Sequence, residues 1–351
     1  MQLSIITINY NNAEGLRKTL ASVASQTYAE IEHIIVDGGS TDSSVEILEA
    51  YPQPLPKRRG EITEGKFPTQ NPTHKVIWIS EKDTGIYNAM NKGLEIALGR
   101  RIVNEDHTSS PIANNQLPIA QTDYIQILNS GDILAAHDVT ERIMAALEAQ
   151  QVKGERLKAK GMENSKADDP SSRLSPLASR LENSPAIFYG NMIKVNAAGE
   201  VVGRSGYTEY SLRQFYSSTL NHDCAYIRKD LFEEYGLYDE NLKIVSDWKW
   251  YLQAIGLGRV KPEYVDIDVT IFDDGGISET NLALRNKERR QVLEELLPPA
   301  VLWDYDTHAF EMEQMNRLRR WKLYPLVYFM ERVLFKLEKW GILGERLKVR
   351  G

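Results

Sequence analysis

The sequence predicts an α/β protein built on a predominantly parallel, Rossmann-like sheet flanked by helices, with a helical carboxyl-terminal extension. Three observations predict it. Short β-branched runs end in polar turns, each turn opens into a segment of helical periodicity, and this unit recurs through the amino-terminal half. With 351 residues, 42% hydrophobic and 26% charged, the chain can bury a substantial core in one large domain.

The first unit is the strand Leu3-Ser4-Ile5-Ile6-Thr7-Ile8, the turn Asn9-Tyr10-Asn11-Asn12, and a helix over 14–26 with Leu16, Leu20 and Val23 on one stripe. The second is the strand 31–36, the turn Asp37-Gly38-Gly39-Ser40-Thr41-Asp42, and a helix over 43–50 for which Asp42 is the expected cap. A third strand, Val76-Ile77-Trp78-Ile79, ends in Ser80-Glu81-Lys82-Asp83 and is followed by a helix. The fourth, Tyr124-Ile125-Gln126-Ile127-Leu128, stops abruptly in Asn129-Ser130-Gly131-Asp132. Farther on, 139–148 reads as helix, 186–191 as a strand returning to the core, and Ser246 as the cap of a helix carrying Asp247 in its first turn. Segments 52–75, 101–122 and 151–185, rich in Pro, Ser, Asn or charge, read as long surface insertions.

In open α/β sheets ligands gather outside the carboxyl ends of the strands, so residues 9–12, 37–42 and Asp132 are expected to line one cleft. A lone carboxylate after a strand and a Gly turn suits a hydrated cation, although Asn, Gly and Asp are also what any tight turn uses. No Walker loop and no Gly-x-Gly-x-x-Gly is present, which argues against P-loop and dinucleotide folds.

Taken in order, Ile5-Ile6-Thr7-Ile8-Asn9-Tyr10-Asn11-Asn12, Val36 to Asp42, Ser80 to Tyr87 and Leu128 to Asp132 resemble the inverting family 2 glycosyltransferases, enzymes of GT-A fold. The likeness resumes at Asn221-His222-Asp223 and Ser246-Asp247-Trp248, and lies nearest to enzymes of bacterial surface-polysaccharide assembly. The resemblance implies a GT-A domain over 1–280 and transfer of a sugar from a nucleotide diphosphate donor, UDP by preference. It implies Mg²⁺ or Mn²⁺ on Asp132, in a variant of the Asp-x-Asp motif that has lost one carboxylate. It implies donor binding by Asn9, Tyr10, Asn11, Asp37, Asp83, Asn129 and Ser130, with Asp37 at the base or ribose and Asp83 at the base. Asp247 is then the base that takes the acceptor hydroxyl's proton, and His222 lies in the acceptor-side region. The Gly-rich stretch Phe272-Asp273-Asp274-Gly275-Gly276-Ile277-Ser278 resembles the family's late loop, which could close over the diphosphate.

The single cysteine, Cys224, excludes intramolecular disulfides and thiolate zinc clusters and suits a cytoplasmic protein. No secretory signal and no apolar run of roughly 20 residues occurs. Charge is uneven: in a chain of net −7, residues 317–351 hold ten Lys and Arg against three Glu, interleaved with aromatic and aliphatic side chains. Such a tail in the extension 281–351 suits an anionic membrane surface, where it would meet a polyprenyl-linked saccharide acceptor; packing onto the domain or a second subunit is the alternative. The acidic body argues against nucleic acid. Two rivals remain: a nucleotide-sugar-binding subunit without turnover, and, more weakly, a sugar-phosphate nucleotidyltransferase, whose amino-terminal Gly-rich loop is missing.

Overall fold

The computed structural model describes residues 1–51, 74–104, 106–111, 122–162, 184–196, 199–273 and 281–339. In chain order the elements are β1 (Leu3–Asn9), α1 (Ala13–Ala24), β2 (Ile31–Asp37), α2 (Ser44–Ala50), β3 (Lys75–Ser80), α3 (Ile86–Ala97), β4 (Arg101–Val103) and β5 (Ser109–Pro111). There follow β6 (Tyr124–Ile127), β7 (Ile133–Leu134), α4 (Val139–Met162), β8 (Ile187–Val195), β9 (Val201–Arg204), α5 (Leu212–Ser217), a 3-10 turn His222–Cys224, β10 (Ala225–Arg228) and α6 (Asp230–Glu234). The chain continues through α7 (Ser246–Tyr251), which widens into a π-helical stretch Leu252–Leu257, then β11 (Pro262–Asp273), α8 (Leu282–Leu296), α9 (Pro299–Arg320) and α10 (Tyr324–Lys339).

The main sheet has the order β3-β2-β1-β6-β10-β8-β11-β7, with β9 added to β8. Its first four strands are parallel, and the register sets Asn9 beside Asp37 and Asp37 beside Ser80, so three carboxyl ends finish in line. Beyond β6 the sheet turns mixed: β10 runs antiparallel to both neighbours, β11 parallel to β8, and β7 antiparallel to β11. Every residue of β1 is buried, as a near-continuous apolar run demands when helices cover both faces of a parallel strand. The larger core joins Leu3, Ile5 and Tyr124 to Val139, Ile143, Met144 and Leu147 of α4 and to Phe188, Tyr226, Ile267 and Val269. A second core packs Leu16 and Leu20 of α1 with Ile35, Ile47, Leu48 and Tyr51.

Helix α3 lies unusually close to the sheet. A Cβ at Gly93 would come within 2.5 Å of Ile6 Cγ2, so only glycine lets the helix approach β1 at that height. From there α3 holds two turns at once. Lys92, buried, donates to the Lys82 carbonyl at 2.9 Å and pairs with Glu81 at 2.8 Å. Asn91 exchanges hydrogen bonds with the Tyr238 backbone, at 2.9 and 3.0 Å, in the segment that leads to α7.

The structure departs from the sequence reading in four places. Segment 101–122 is not simply loop, since Arg101–Val103 and Ser109–Pro111 pair as a short antiparallel hairpin, pinned by Arg101 on Glu95 and Ser109 on Glu81. Residues 151–162 continue α4 rather than opening an insertion, because Glu, Leu, Lys, Arg and Ala over that stretch are good helix formers. Ser246 is the first residue of α7, not its cap, which is Val245, and its hydroxyl is buried without a partner. The compact units divide at Met1–Arg289 and Arg290–Gly351, later than 280, because Glu288 accepts the backbone N–H groups of Lys243 and Ile244 at 2.8 and 2.9 Å and so ties the start of α8 to the body. Residues 52–73, 112–121, 163–183, 274–280 and 340–351, which include most of the expected insertions, the Gly-rich loop and the end of the tail, lie outside the described residues.

Within the unit Arg290–Gly351, α10 leaves large apolar side chains in solvent: Leu326, Tyr328, Phe329, Met330, Leu334 and Phe335 are each about half or more exposed, beside Arg332, Lys336 and Lys339. Among the described residues no helix is long and apolar enough to cross a membrane.

Candidate active site

The ends of β1, β2 and β3 build one wall. Asn9 donates to Asp37 Oδ1 at 2.8 Å, and the Ser40 hydroxyl donates to the same oxygen at 2.6 Å. Asp37 Oδ2 accepts from the Ser40 N–H at 2.9 Å and the Ser80 hydroxyl at 2.8 Å. Four donors fill the usual capacity of a carboxylate, and Asp37 is fully buried. Asp37 therefore braces three strand ends against one another; a nucleoside N–H would reach it only by displacing one of these donors. Asn11, with φ +48° and exposed, is tied to the same turn: its side-chain oxygen accepts from the Thr41 N–H at 2.7 Å and its backbone N–H donates to Ser40 Oγ. Asp42 is not the cap of α2, which is Ser43, but lies one residue before it, accepting from the Ser44 N–H and from the Ala13 N–H at the start of α1.

What remains open on this wall is Tyr10, 63% exposed, the buried Asn9 side-chain oxygen, which has no partner, and Asp83. A Cβ at Gly38 would fall 2.3 Å from Asp83 Oδ2 and 3.3 Å from the Tyr10 ring, so the glycine leaves the space into which both project. Asp83 Oδ1 accepts from the Gly85 N–H at 2.9 Å. Burial raises its carboxyl above the ordinary value, partly opposed by that bond and the Lys92 charge and reinforced by Asp37.

The turn after β6 forms the floor. Thr19 of α1 fastens it, accepting from the Gly131 N–H at 2.9 Å and donating to the Asp132 carbonyl at 2.7 Å. Asn12 caps α1 through Gly15 and donates to the Ser130 carbonyl at 3.0 Å. Asp132 is 7% exposed, and burial together with the nearby Asp223 charge pushes its carboxyl up to about 7, with His222 and the Asn129 backbone pulling the other way. Two acids sharing a poorly hydrated pocket suit a divalent cation, which would relieve their repulsion. Among the described residues no group of three or more His, Cys, Asp or Glu is arranged as a cage. The donor set thus fits a hard ion held by one carboxylate and completed by phosphate oxygens and water.

Opposite stands Asp247, in the first turn of α7 with its side chain 15% exposed. Its Oδ1 accepts from the Tyr87 hydroxyl at 2.8 Å, and its Oδ2 lies 3.3 Å from His222 Nδ1. Burial alone would raise this carboxyl, but the hydrogen bond and charge of His222, and then the Tyr87 hydroxyl, hold it below the usual carboxylate range. Burial would likewise lower His222, yet its bond to Asp247 and the charges of Asp247, Asp223 and Asp132 outweigh it and bring the ring up to about 9. The other ring nitrogen, Nε2, is 2.9 Å from the Asn129 amide, whose oxygen is otherwise buried and unpartnered. With His222 protonated both ring nitrogens donate, and the Asn129 amide turns that oxygen to accept. One imidazole thus spans from the acid of α7 to the turn that bears Asp132.

The structure brings Asn9, Tyr10, Asn11, Asp37, Asp83, Asn129, Ser130, Asp132, His222 and Asp247 to the carboxyl ends of the parallel strands, with the Asp37 oxygens and the Asn11 side-chain oxygen engaged by neighbouring turn residues. Sequence reasoning gave no role to Tyr87, although it ends the third motif, because its partner is 160 residues away. Nor did it place Asp223, which accepts from the Thr270 hydroxyl at 2.6 Å, or Arg289, whose guanidinium lies 5.0 Å above the Trp248 ring beside Asp247. No spacing in the chain signals such contacts.

Residues 4–107 match the family model of glycosyl transferase family 2. An uncharacterized glycosyltransferase of Mycobacterium tuberculosis is 38% identical over 98 residues, 28% of this chain and 30% of that protein, so the chain spans less than a third of that relative's length. A PGL/p-HBAD biosynthesis glycosyltransferase of the same species is 22% identical over 278 residues, 79% of each chain. The fold is similar to residues 1-349 of S. aureus TarS, in complex with UDP-GlcNAc, with a TM-score of 0.51 and 15% identity over 84% of this chain and 64% of that one. The motifs, the sheet and these matches agree: residues 4–107 are similar to glycosyl transferase family 2, and the chain has a fold of the GT-A kind.

Proposed function

We propose that this glycosyltransferase moves a sugar from a nucleotide diphosphate donor, a UDP-sugar in the simplest case, to a hydroxyl of a saccharide or lipid-linked saccharide, with inversion at the anomeric carbon. The observation that carries the proposal is the path Asp247–His222–Asn129, which sets a partly buried, ionised carboxylate one imidazole away from the turn bearing Asp132. A carboxylate held ionised can take the acceptor hydroxyl's proton as its oxygen attacks. Tyr87 and His222 fix the orientation of that carboxylate by occupying both of its oxygens, and His222 stabilises the charge it must carry until transfer. The Tyr10–Gly38–Asp83 space is shaped for the nucleoside, with Tyr10 as stacking surface and Asp83 as acceptor. Asp132 would hold Mg²⁺ or Mn²⁺, which when bound neutralises charge developing on the diphosphate. The UDP-GlcNAc held by the TarS fragment supports this donor class.

We assign a place at an anionic membrane face to the exposed apolar and basic surface of α10, which suits an acceptor that cannot leave the bilayer and a role in cell-surface polysaccharide assembly. The test is release of nucleoside diphosphate from UDP-, GDP- and dTDP-sugars, with Mn²⁺ or chelator, using membrane extract as acceptor. Acceptor-stimulated, metal-dependent release from one donor, abolished by both Asp132→Ala and Asp247→Asn, is expected. Nucleotide binding without turnover of any donor would replace the proposal with a binding subunit.

A further inference from the structure

Strands β8 and β11 run side by side, and alternation sends Phe188, Ile267 and Val269 into the core. The opposite face carries Tyr189, Asn191, Tyr264, Asp266 and Asp268. A chain of rings runs across that face. Tyr207 meets Tyr264 at 5.7 Å between centroids, Tyr264 meets Tyr189 at 5.4 Å, Tyr189 meets Tyr210 at 5.5 Å, and Tyr210 meets Phe215 at 5.5 Å. The inner end reaches the catalytic helix, since Trp248, the neighbour of Asp247, donates its indole N–H to the Phe215 carbonyl at 2.8 Å. The outer end is wet: Tyr207 is 68% exposed.

The loop that presents Tyr207 is fastened at both sides. Ser205 exchanges hydrogen bonds with the Met192 backbone, and the Tyr189 hydroxyl donates to the Thr208 carbonyl at 3.0 Å. The exposed ring is therefore positioned before anything binds, so little ordering entropy opposes binding. Beside it stand planar polar groups in fixed geometry: Arg204 pairs with Asp266 at 2.7 Å and Asp268 at 2.6 Å, and Asn191 donates to Asp266 at 3.0 Å while accepting from the Tyr264 hydroxyl at 3.0 Å. A pyranose has an apolar C–H face and a rim of hydroxyls. Aromatic rings flanked by oriented carboxylate, guanidinium and amide groups complement both.

We propose that Tyr207 and Tyr264, with Arg204 and Asp266 at their rim, form a saccharide subsite that holds the acceptor glycan on the Asp247 side of the cleft. This rests on the glycosyltransferase reading and adds the residues that choose the acceptor. Continuity with Trp248 favours a sugar over a peptide or lipid chain, because the row leads to the carboxylate that must meet the acceptor hydroxyl.

Binding can be read without turnover. The full chain, saturated with UDP, is examined by saturation-transfer difference NMR with the methyl glycosides of glucose, galactose, mannose and rhamnose at millimolar concentration. Saturation should reach the ring C–H protons of at least one glycoside. Tyr207→Ala, whose exposed ring contributes little to folding, should weaken binding about tenfold, as loss of one aromatic anchor does. Trp303→Ala, removing an equally exposed ring elsewhere, should leave the signal intact. Signal from no glycoside, or equal signal in parent and Tyr207→Ala, would overturn the subsite. Binding that depends on Tyr207 in a protein without transfer activity would leave the subsite standing and remove the proposed reaction. With an active donor in hand, Tyr207→Ala should raise the acceptor KM about tenfold while acceptor-independent donor hydrolysis holds steady; equal loss in both would also overturn it.

Discussion

Replacing Tyr87 by Phe removes one hydroxyl from Asp247 and keeps the ring, which lies 5.8 Å from Tyr238. A hydrogen bond to a charged group contributes about 1.5–3 kcal/mol. At 1.36 kcal/mol per unit, its loss raises the Asp247 carboxyl by about 1–2 pKa units. The sign follows from linkage. A carboxylate whose folded pKa is depressed contributes stability that is present above its unfolded value, about 3.9, and is lost as pH falls through the folded value. Tyr87→Phe should therefore lose about 1.5–3 kcal/mol of urea stability near neutral pH, with the difference from the parent fading below a pH of about 4. In the reaction, the acid limb of kcat/KM should move up by the same 1–2 units, roughly, while the rate near neutrality changes less, because Asp247 is ionised there in both proteins. Nucleoside diphosphate release measured across pH supplies the profile. An unmoved acid limb with equal loss at every pH would refute the electrostatic reasoning and leave Tyr87 only a steric role.

Gly38→Ala puts a methyl group where Asp83 Oδ2 now sits, 2.3 Å away, and should displace that carboxylate rather than the backbone. UDP binding by calorimetry should weaken about tenfold with unchanged circular dichroism, whereas an unchanged Kd would take Asp83 out of the donor pocket. His33 is fully buried, bonded at 2.9 Å to Thr7, and burial first, then His74, pulls it from 6.5 down to about 3. Between those values the unfolded chain binds a proton that the folded chain refuses, so stability falls by about 1.4 kcal/mol per unit as pH drops below 6.5. His33→Gln should flatten that slope in urea titrations, and parallel slopes would exclude His33 as its source. Phe329 and Phe335 are 64% and 66% exposed, so changing both to Glu should abolish flotation with phosphatidylglycerol vesicles. Equal flotation with phosphatidylcholine alone, or none by the parent, would remove the membrane assignment.

The strands and turns were legible because a buried parallel strand must be written as an apolar run and a tight turn in Asn, Gly, Ser and Asp. Adjacent strands end together, so the convergence of Asn9, Asp37 and Asp83 followed from the fold class. Which oxygen faces the cleft did not. Asp37 and Asp83 look alike in sequence, yet Asp37 is filled by Ser40, Ser80 and Asn9, from three strand ends, while Asp83 stays open. Asp247 was singled out from its motif and its place at a helix start. Its partners Tyr87 and His222 come from α3 and from the turn before β10, and such pairings are decided by packing over long separations rather than by local pattern. The ring of Tyr207 went unseen for the same reason: its meaning depends on Tyr264, a neighbour only through β8 and β11.

Gly93 and Tyr87 belong to the same helix, six positions and about 9 Å apart. One presses α3 against β1 with no room for a methyl group, and the other holds the carboxylate of Asp247. The helix is thus a rigid lever with its fulcrum on the sheet and its tip at Asp247, the carboxylate proposed to take the acceptor's proton. A substitution at the fulcrum would tilt the tip, and rate would change with no reacting group altered. For such a position catalytic selection is exerted through packing, and a screen for slower enzymes should return the hidden face of α3 together with the cleft.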